Sequence, residues 1–462
     1  MEQAIVQMMA VAPKDRKLDW LKKSLQAAIE LELSTLPPYL CAMWSIKDTA
    51  TGLPGGFGAV TTLIDSVVRQ EMTHLGLVCN MLTGLGGTPA LAAGYASNIK
   101  YPGSLPGGVR PELTVYLSGL TKSYVHDVFM EIEFPEKGPL ALVMVGGHTF
   151  PTIGAFYDAI QEAFTQLSPL PSPARQLTSN LVNVSPILNL DDVAKAISLI
   201  KSQGEGSDKS PGDGQGDDLA HYYRFAELYV GTTLVTTPGG GFTFSGPALP
   251  FPDAQTMAPI PKGGYLDVSA EVTELLRIFN SLFSDMLDKL DAAWQNGDQA
   301  ALSAGVTKMR QLKTAATNIM AKPLPKAVNG FYGPDFQYIP ANQRTTQVVA
   351  AAANPTFSDI TKLLETLTGV DPNIDSAPHG AFWKDDYDTF MAQKTSDWGV
   401  TGSLVVKGKP DQSVLYQALS GTGPFGTTIP QMPFLDLDPN GRLATSDELE
   451  LVATWITNNC PK

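Results

Sequence analysis

The chain has 462 residues, 43% of them hydrophobic and 17% charged, and its 32 Lys+Arg against 46 Asp+Glu leave a formal net charge of −14. At roughly 150 residues per domain, this length allows two or three domains with cores that need no disulfide or metal staple. The acidic balance argues against binding to nucleic acids or anionic membranes, because both require clustered cations. We therefore expect neither as a partner.

Cysteine content and hydropathy exclude further classes of protein. The three cysteines, Cys41, Cys79 and Cys460, include no CxxC pair, which excludes a disulfide framework, a Cys-rich zinc site and covalent haem attachment. The amino terminus lacks the pattern of a signal peptide, and no segment approaches the ~18 uninterrupted apolar residues of a transmembrane helix. These features predict a cytoplasmic protein.

Apolar residues at helical spacing predict a mainly helical chain. The first helix covers residues 16–47, where Pro37 and Pro38 predict a kink or an interruption. A second helix ends at the glycines of residues 84–87, and a third runs from about Pro111 to Phe134. Further helices are predicted over residues 153–167, 193–202, 217–230, 268–294 and 299–320, followed by a surface linker over 322–345.

The pattern divides the chain into a domain of residues 1–340 and a small carboxyl-terminal domain of residues 350–462. The second domain is predicted to have helices near residues 357–368 and 446–458 and a strand near 402–406.

An acidic residue of the first helix points into its apolar stripe. Glu30 and Glu32 are two residues apart, about 200° around a helix, so only one can face inward. The stripe selects Glu32. A carboxylate in an apolar seam costs several kcal/mol unless it is paired or binds a metal. The alternative is that Glu32 lies on an exposed face.

The second helix carries a Glu-x-x-His pair on its predicted inner face. Glu71 and His74 are three residues apart, so their side chains project from the same face of the helix. Di-iron carboxylate bundles use one Glu from each of two helices and a Glu-x-x-His pair from each of two others. The first two helices therefore resemble half of such a site.

The next helices supply the remaining parts. The third ends in an acidic pair, Glu131 and Glu133, between which the apolar stripe does not choose. The helix near residue 220 carries Asp218 and His221 at the same three-residue spacing, whereas Glu227 lies on another face. The order acid, ExxH, acid, DxxH predicts a dinuclear metal site. A buried, hydrogen-bonded polar network is the alternative.

Three tyrosines and one glycine-containing segment lie near these ligands in the sequence. Tyr39, Tyr222 and Tyr223 are expected to pack in the core, with hydrogen bonding to the ligands or a radical-bearing role as alternatives. The segment 203–206 lacks the lysine pattern of a phosphate-binding loop, and we interpret it as a hinge or lid beside the last ligand helix.

Residues 16–340 resemble the ferritin-like domain of the iminophenyl-pyruvate dimer synthase family of the violacein and rebeccamycin pathways. The similar motifs are 32-ELSTLPPYLCAMWSIKD-48, 69-RQEMTHLGLVCNML-82, 131-EIEFPE-136, 221-HYYRF-225, 249-LPFPDAQTMAPIPKGGY-265 and 333-GPDFQYIP-340. The resemblance implies a ferritin-like four-helix bundle with extra helices and long loops. It implies the metal ligands Glu32, Glu71, His74, Glu133, and His221 with Asp218.

The resemblance favours Glu133 over Glu131, because Glu133 belongs to the family's Glu-x-Pro-Glu pattern. Many relatives have an acid where this chain has Ala155, so one ligand is missing here if that acid belongs to the site. The large amino-terminal half of the pathway enzymes is absent from this sequence. We therefore do not expect dimer-synthase activity.

The carboxyl-terminal region resembles the end of small c-type cytochrome domains. The similarity lies in 402-GSLVVKGKPDQSVLYQALSG-421, 431-QMPF-434 and 446-SDELELVATWITNNCP-461. The haem-attaching CxxCH is missing, so we predict a haem-less domain used for packing or as a lid. His379 and Met432 are candidate ligands, but a hydrogen-bonded loop residue is the simpler interpretation of His379.

These features together lead to a functional expectation. Carboxylate and imidazole ligands suit two iron ions, with manganese or a mixed pair as alternatives. We expect an O₂- or peroxide-dependent oxidase or oxygenase of a small organic, amino-acid-derived secondary metabolite. A non-catalytic metal-binding or metal-free scaffold is the alternative. No local signal specifies a haem pocket, so haem is not expected, and no pattern sets the oligomeric state.

Overall fold

A computed structural model describes residues 4–462 apart from 50–51, 57, 136–151, 180–181, 205–209, 213–218, 267, 326–329, 345–354, 369–378, 426–428, 430–431, 433–443 and 445. The chain divides into two compact units. The first comprises residues 1–178 and 184–348, and the second comprises residues 179–183 and 349–462. Among the described residues, no helix is long and apolar enough to cross a membrane.

The first unit is mainly helical, which confirms the predicted fold class. Its first helices are α1 (Ala4–Met9), α2 (Leu18–Ser45), α3 (Ala59–Gly84) and α4 (Leu91–Asn98). The helical segment α5 (122–132) joins Lys122–Tyr124, a π-helical turn Val125–Phe129 and Met130–Ile132. The later elements are α6 (Ile153–Leu167), α7 (Leu190–Gly204), α8 (His221–Val230), the antiparallel pair β1 (Thr232–Thr236) and β2 (Phe242–Ala248), α9 (Ala270–Asn296) and α10 (Gln299–Met320).

Helix α2 continues through Pro37 and Pro38 to Ser45, so the predicted interruption was wrong. A proline removes the amide hydrogen that would bond the carbonyl four residues earlier. For Pro38 that carbonyl belongs to Ser34, and it accepts a hydrogen bond from the hydroxyl of Tyr101 at 2.6 Å. An external donor therefore replaces the missing one, and the helix continues from Glu32 past the proline pair to Tyr39 and Ser45.

The third predicted helix is shorter than its pattern suggested. Only residues 122–132 of this region are helical, whereas Val115, before them, forms an isolated antiparallel bridge with Gly103. The buried residues Leu113, Val115 and Leu117 alternate along the chain, which is the period of a strand. The helical interpretation of residues 111–121 was therefore wrong.

The segment after α10 was also misjudged. Tyr332 and Phe336 are buried, and the ring of Phe336 stacks on Trp44 of α2 at 6.1 Å. The described part of the predicted surface linker thus completes the core of the first unit.

The second unit is small and helical. It contains α11 (Phe357–Thr368), α12 (Tyr387–Met391), α13 (Val414–Ser420) and α14 (Ser446–Thr457). A core around Leu367, Phe390 and Trp455 holds these helices together. The predicted strand over 402–406 is instead a single bridge between Ser403 and Ser413.

The two candidate ligands of the second unit have local packing roles. Nδ1 of His379 lies 2.7 Å from the carbonyl of Gly380, and Met432 packs against a small apolar cluster.

Candidate metal centre

Five of the six predicted ligands lie at the ends or inner faces of four helical segments. Glu32 lies in α2, and Glu71 and His74 lie in α3. Glu133 directly follows α5, and His221 is the first residue of α8. Their exposed fractions range from 0% for His221 to 7% for Glu133, so the whole group is withdrawn from bulk water.

The first ligand group joins α2 and α3. One donor atom each from Glu32, Glu71 and His74 lies within 4.8 Å of the others. Nδ1 of His74 is 3.5 Å from Glu32 Oε2 and 3.5 Å from Glu71 Oε1. Two carboxylates and one imidazole thus converge on one point.

The second ligand group joins α3, α5 and α8. It consists of Glu71, Glu133 and His221, again with donor atoms within 4.8 Å of one another. Nδ1 of His221 is 3.0 Å from Glu71 Oε1 and 3.5 Å from Glu133 Oε1. Because Glu71 belongs to both groups, the two candidate metal positions adjoin and share a carboxylate.

The structure distinguishes the two acids at the end of α5. Glu133 turns toward His221, whereas the carboxylate of Glu131 pairs with the guanidinium of Arg110. Arg110 also donates to the main-chain carbonyl of Glu131 at 2.8 Å. The acidic residue that the family resemblance favoured is therefore the one that lies in the cluster.

Two questions raised by the sequence concern Asp218 and Ala155. Asp218 lies outside the described residues, so its predicted role stays a prediction. Ala155 is half-buried in the first turn of α6, where its amide donates to the hydroxyl of Thr152 at 3.0 Å. The residue by which α6 reaches the cluster is Tyr157, whose hydroxyl donates to Glu32 Oε1.

Each of the three carboxylates has a hydroxyl partner. The hydroxyl of Tyr157 donates a hydrogen bond to Glu32. The hydroxyl of Thr35 lies 2.6 Å from Glu71 Oε2, and that of Tyr39 donates to Glu133 Oε1 at 2.6 Å. Thr35 and Tyr39 stand three and seven residues after Glu32 on one helix face, so the apolar stripe already contained that signal. Tyr157 comes from a distant helix and was missed.

Each of the two histidines has a glutamine partner. His74 Nε2 lies 2.8 Å from Gln203 Oε1, and His221 Nε2 lies 2.8 Å from Gln70 Oε1. Sequence reasoning missed both roles. Gln70 precedes Glu71 and belongs to a different helix face, and Gln203 lies at the end of α7 in the segment interpreted as a hinge.

Burial and charge perturb the acids of this cluster in different directions. Burial raises the pKa of Glu32 and Glu133, and the negative charge of Glu71 adds to both increases. Burial also acts to raise the pKa of Glu71, but its interactions with His221 and His74 outweigh that effect and lower it. Glu71, the shared carboxylate, therefore holds its negative charge most firmly.

The imidazole of His74 responds to the same surroundings. Burial acts to lower its pKa, but Glu32 and Glu71 outweigh that effect and raise it to about 10. The protonated form of His74 is thus favoured while no metal ion is bound.

The donor atoms fit metal ions. Nδ1 of His221 is fully buried and forms no hydrogen bond of normal geometry, although Glu71 Oε1 lies 3.0 Å away and a buried polar nitrogen normally has a hydrogen-bond partner. Three buried carboxylates and two imidazoles form the kind of oxygen and nitrogen set that binds iron, manganese or zinc. Two cations at the shared Glu71 would neutralise the carboxylates. The cation beside His221 would also bind its Nδ1.

Part of the chain is similar to a known protein family. Residues 25–230, which include all six predicted ligands, match the family model described as ferritin-like. A crystal structure of a ferritin-like protein from Caulobacter vibrioides is 23% identical, with a TM-score of 0.44 over 64% of this chain and 92% of that chain. No curated protein matches. Residues 25–230 are thus similar to ferritin-like proteins.

Proposed function

We propose that this protein is a dimetal carboxylate oxidase or oxygenase that uses O₂ or peroxide to oxidise a small organic molecule. The observation that carries this proposal is the sharing of Glu71 between two buried three-ligand groups. A shared carboxylate would hold two ions next to each other, as in di-iron carboxylate proteins. A single structural metal would need one such group only.

The ligands divide between the two positions. Glu32 and His74 would hold one ion, Glu133 and His221 the other, and Glu71 would bridge them. Iron at both positions would supply the electrons for reduction of O₂ or peroxide. Iron is the metal we propose, and manganese satisfies the same donors.

The protein side chains around the cluster control water and orientation. The ring of Tyr39 packs against Phe129 at 4.7 Å and Phe225 at 5.1 Å, which covers the Glu133 side with apolar surface. The hydroxyls of Tyr39 and Tyr157 hold their hydrogens toward Glu133 and Glu32, which fixes the orientation of these carboxylates. Fixed ligands in a dry site are what a redox centre requires to exclude side reactions.

The resemblance to the iminophenyl-pyruvate dimer synthase family supports the substrate class. We propose an amino-acid-derived secondary metabolite, on the strength of the motifs that this chain shares with that family.

Metal analysis tests the proposal. We would measure metal by plasma mass spectrometry in untagged wild-type protein and in the double variant Glu71→Ala with His74→Ala. The matched control is His126→Ala with Asp127→Ala, a neighbouring acid–histidine pair at the surface with exposed fractions of 48% and 62%. We expect about two ions per chain in the wild type and the control, and none or a small remainder in the double variant.

Oxygen uptake completes the test. The loaded wild type should consume O₂ in the presence of an oxidisable aromatic amino acid or its keto acid, and the double variant should not. Two bound ions without any oxidation would instead indicate a metal-binding scaffold. A wild type that binds no metal after anaerobic reconstitution would overturn the proposal and leave a metal-free scaffold.

A further inference from the structure

The two histidines of the cluster are held in the same way by glutamines from two different helices. Gln203 at the end of α7 approaches His74, and Gln70 in α3 approaches His221, with Oε1 to Nε2 distances of 2.8 Å in both cases. An amide oxygen only accepts hydrogen bonds. With this pairing each Nε2 carries a hydrogen, so Nδ1 is the atom that offers its lone pair when the ring binds a metal ion.

The consequence for metal binding follows from where the Nδ1 atoms point. Nδ1 of His74 faces Glu32 and Glu71, and Nδ1 of His221 faces Glu71 and Glu133. The glutamines thus hold Nδ1 of each ring, the nitrogen available to a metal ion, toward the carboxylates. We infer that Gln70 and Gln203 are positioning residues, each of which selects the metal-binding tautomer of one histidine and sets the affinity of one metal position.

The inference assigns each glutamine to a different ion. Gln203 acts on the position formed by Glu32, Glu71 and His74, whereas Gln70 acts on the one formed by Glu71, Glu133 and His221. Both are neutral, so they orient the rings without adding charge to a site that already holds three carboxylates. Loss of such an outer partner typically weakens metal binding by ~10–100-fold.

The inference rests on the proposed metal centre, and cobalt(II) binding tests it without an activity assay. We would titrate metal-free protein with cobalt(II) and follow its visible absorption. In the His221→Ala background, which retains the Glu32–Glu71–His74 position, Gln203→Met should weaken binding ~10–100-fold while Gln70→Met leaves it unchanged. The His74→Ala background should show the reverse.

Conservative variants separate hydrogen bonding from packing. Methionine keeps the size of glutamine but loses the acceptor, whereas glutamate keeps both. Gln203→Glu and Gln70→Glu should therefore bind cobalt(II) at least as tightly as the wild type. Circular dichroism melting would confirm that each variant is folded.

A second readout holds even if the methionine variants do not fold. Nitrogen-15 NMR of zinc-loaded wild type, in a chain with five histidines, should show His74 and His221 with hydrogen on Nε2 and metal on Nδ1. Hydrogen on Nδ1 of either ring would overturn the inference. Equal effects of both glutamines in both backgrounds, or losses in the glutamate variants as large as in the methionine variants, would also overturn it.

Failure of the inference is distinguishable from failure of the proposed function. A wild type that binds no cobalt(II) would overturn both, whereas normal binding with unaffected glutamine variants would overturn the inference alone.

Discussion

The hydroxyl of Tyr101 donates to the main-chain carbonyl of Ser34 at 2.6 Å, and this carbonyl is the one that Pro38 leaves without its helical donor. Tyr101, which lies outside α2, thus supplies the hydrogen bond that Pro38 cannot donate within the helix. This hydrogen bond explains how a proline pair can stand within a buried helix, a few residues after Glu32.

The Tyr101→Phe variant should therefore lose stability. Removal of the hydroxyl leaves the carbonyl of Ser34 without its protein donor, which typically costs about 1–3 kcal/mol. Urea unfolding monitored by circular dichroism would measure the loss. The control is Tyr229→Phe, a partly exposed tyrosine at the end of α8, which should have little effect. Equal losses of unfolding free energy in both variants would contradict this role of the Tyr101 hydroxyl.

Asn80 supports a second prediction about stability. It is fully buried in α3, where its side-chain amide donates to the carbonyls of Leu177 and Ser185. Its side-chain oxygen accepts from the amide of Leu177 and from Nε1 of Trp294 in α9. Four hydrogen bonds thus tie α3 to a loop and to α9.

Replacement of Asn80 by leucine should cost about 3 kcal/mol or more, because it leaves several buried polar groups without partners at once. Cys79→Ala, at the neighbouring buried position, removes only a small apolar side chain and should cost about 1 kcal/mol. Denaturant titration of both variants would compare them, and a similar cost for the two would refute this account of Asn80.

The two acids at the end of α5 make a matched pair of variants. Glu133→Gln should reduce the bound metal, because Glu133 lies with His221 in the second ligand group. Glu131→Gln should leave the metal content unchanged, because the carboxylate of Glu131 faces Arg110. Metal analysis of the purified variants decides between the two acids. Loss of metal in Glu131→Gln but not in Glu133→Gln would reverse the assignment.

Metal removal should lower the stability of the first unit. Bound cations would offset the repulsion among Glu32, Glu71 and Glu133. Linkage to binding stabilises a folded state by about 4 kcal/mol when the free metal exceeds its Kd a thousandfold. Calorimetry of wild-type protein with and without a chelator should show a lower Tm for the metal-free form. The Glu71→Ala, His74→Ala variant should show no such difference. An unchanged Tm in the wild type would argue that the cluster is a polar network rather than a metal centre.

Sequence patterns alone determined the inner faces of the long helices. The fixed angle between neighbouring residues of a helix placed Glu32 inward and Glu30 outward, and it put Glu71 and His74 on one face. Helix α10 and the later helix α11 were predicted with the bounds that the structure shows. Such features depend only on the geometry of one helix, so the residue spacing within that helix is enough to predict them.

Helical periodicity left Glu131 and Glu133 undecided and the family resemblance favoured Glu133. Only the tertiary structure showed which acid lies in the cluster and which side chains contact the candidate ligands. Glu133 lies beyond the last helical turn, where the periodicity no longer fixes a direction. Gln203 and Tyr157 reach the cluster from other helices, and Arg110 draws Glu131 away from it. Such contacts depend on how distant segments pack, because side chains more than 20 residues apart meet only after the chain has folded back on itself.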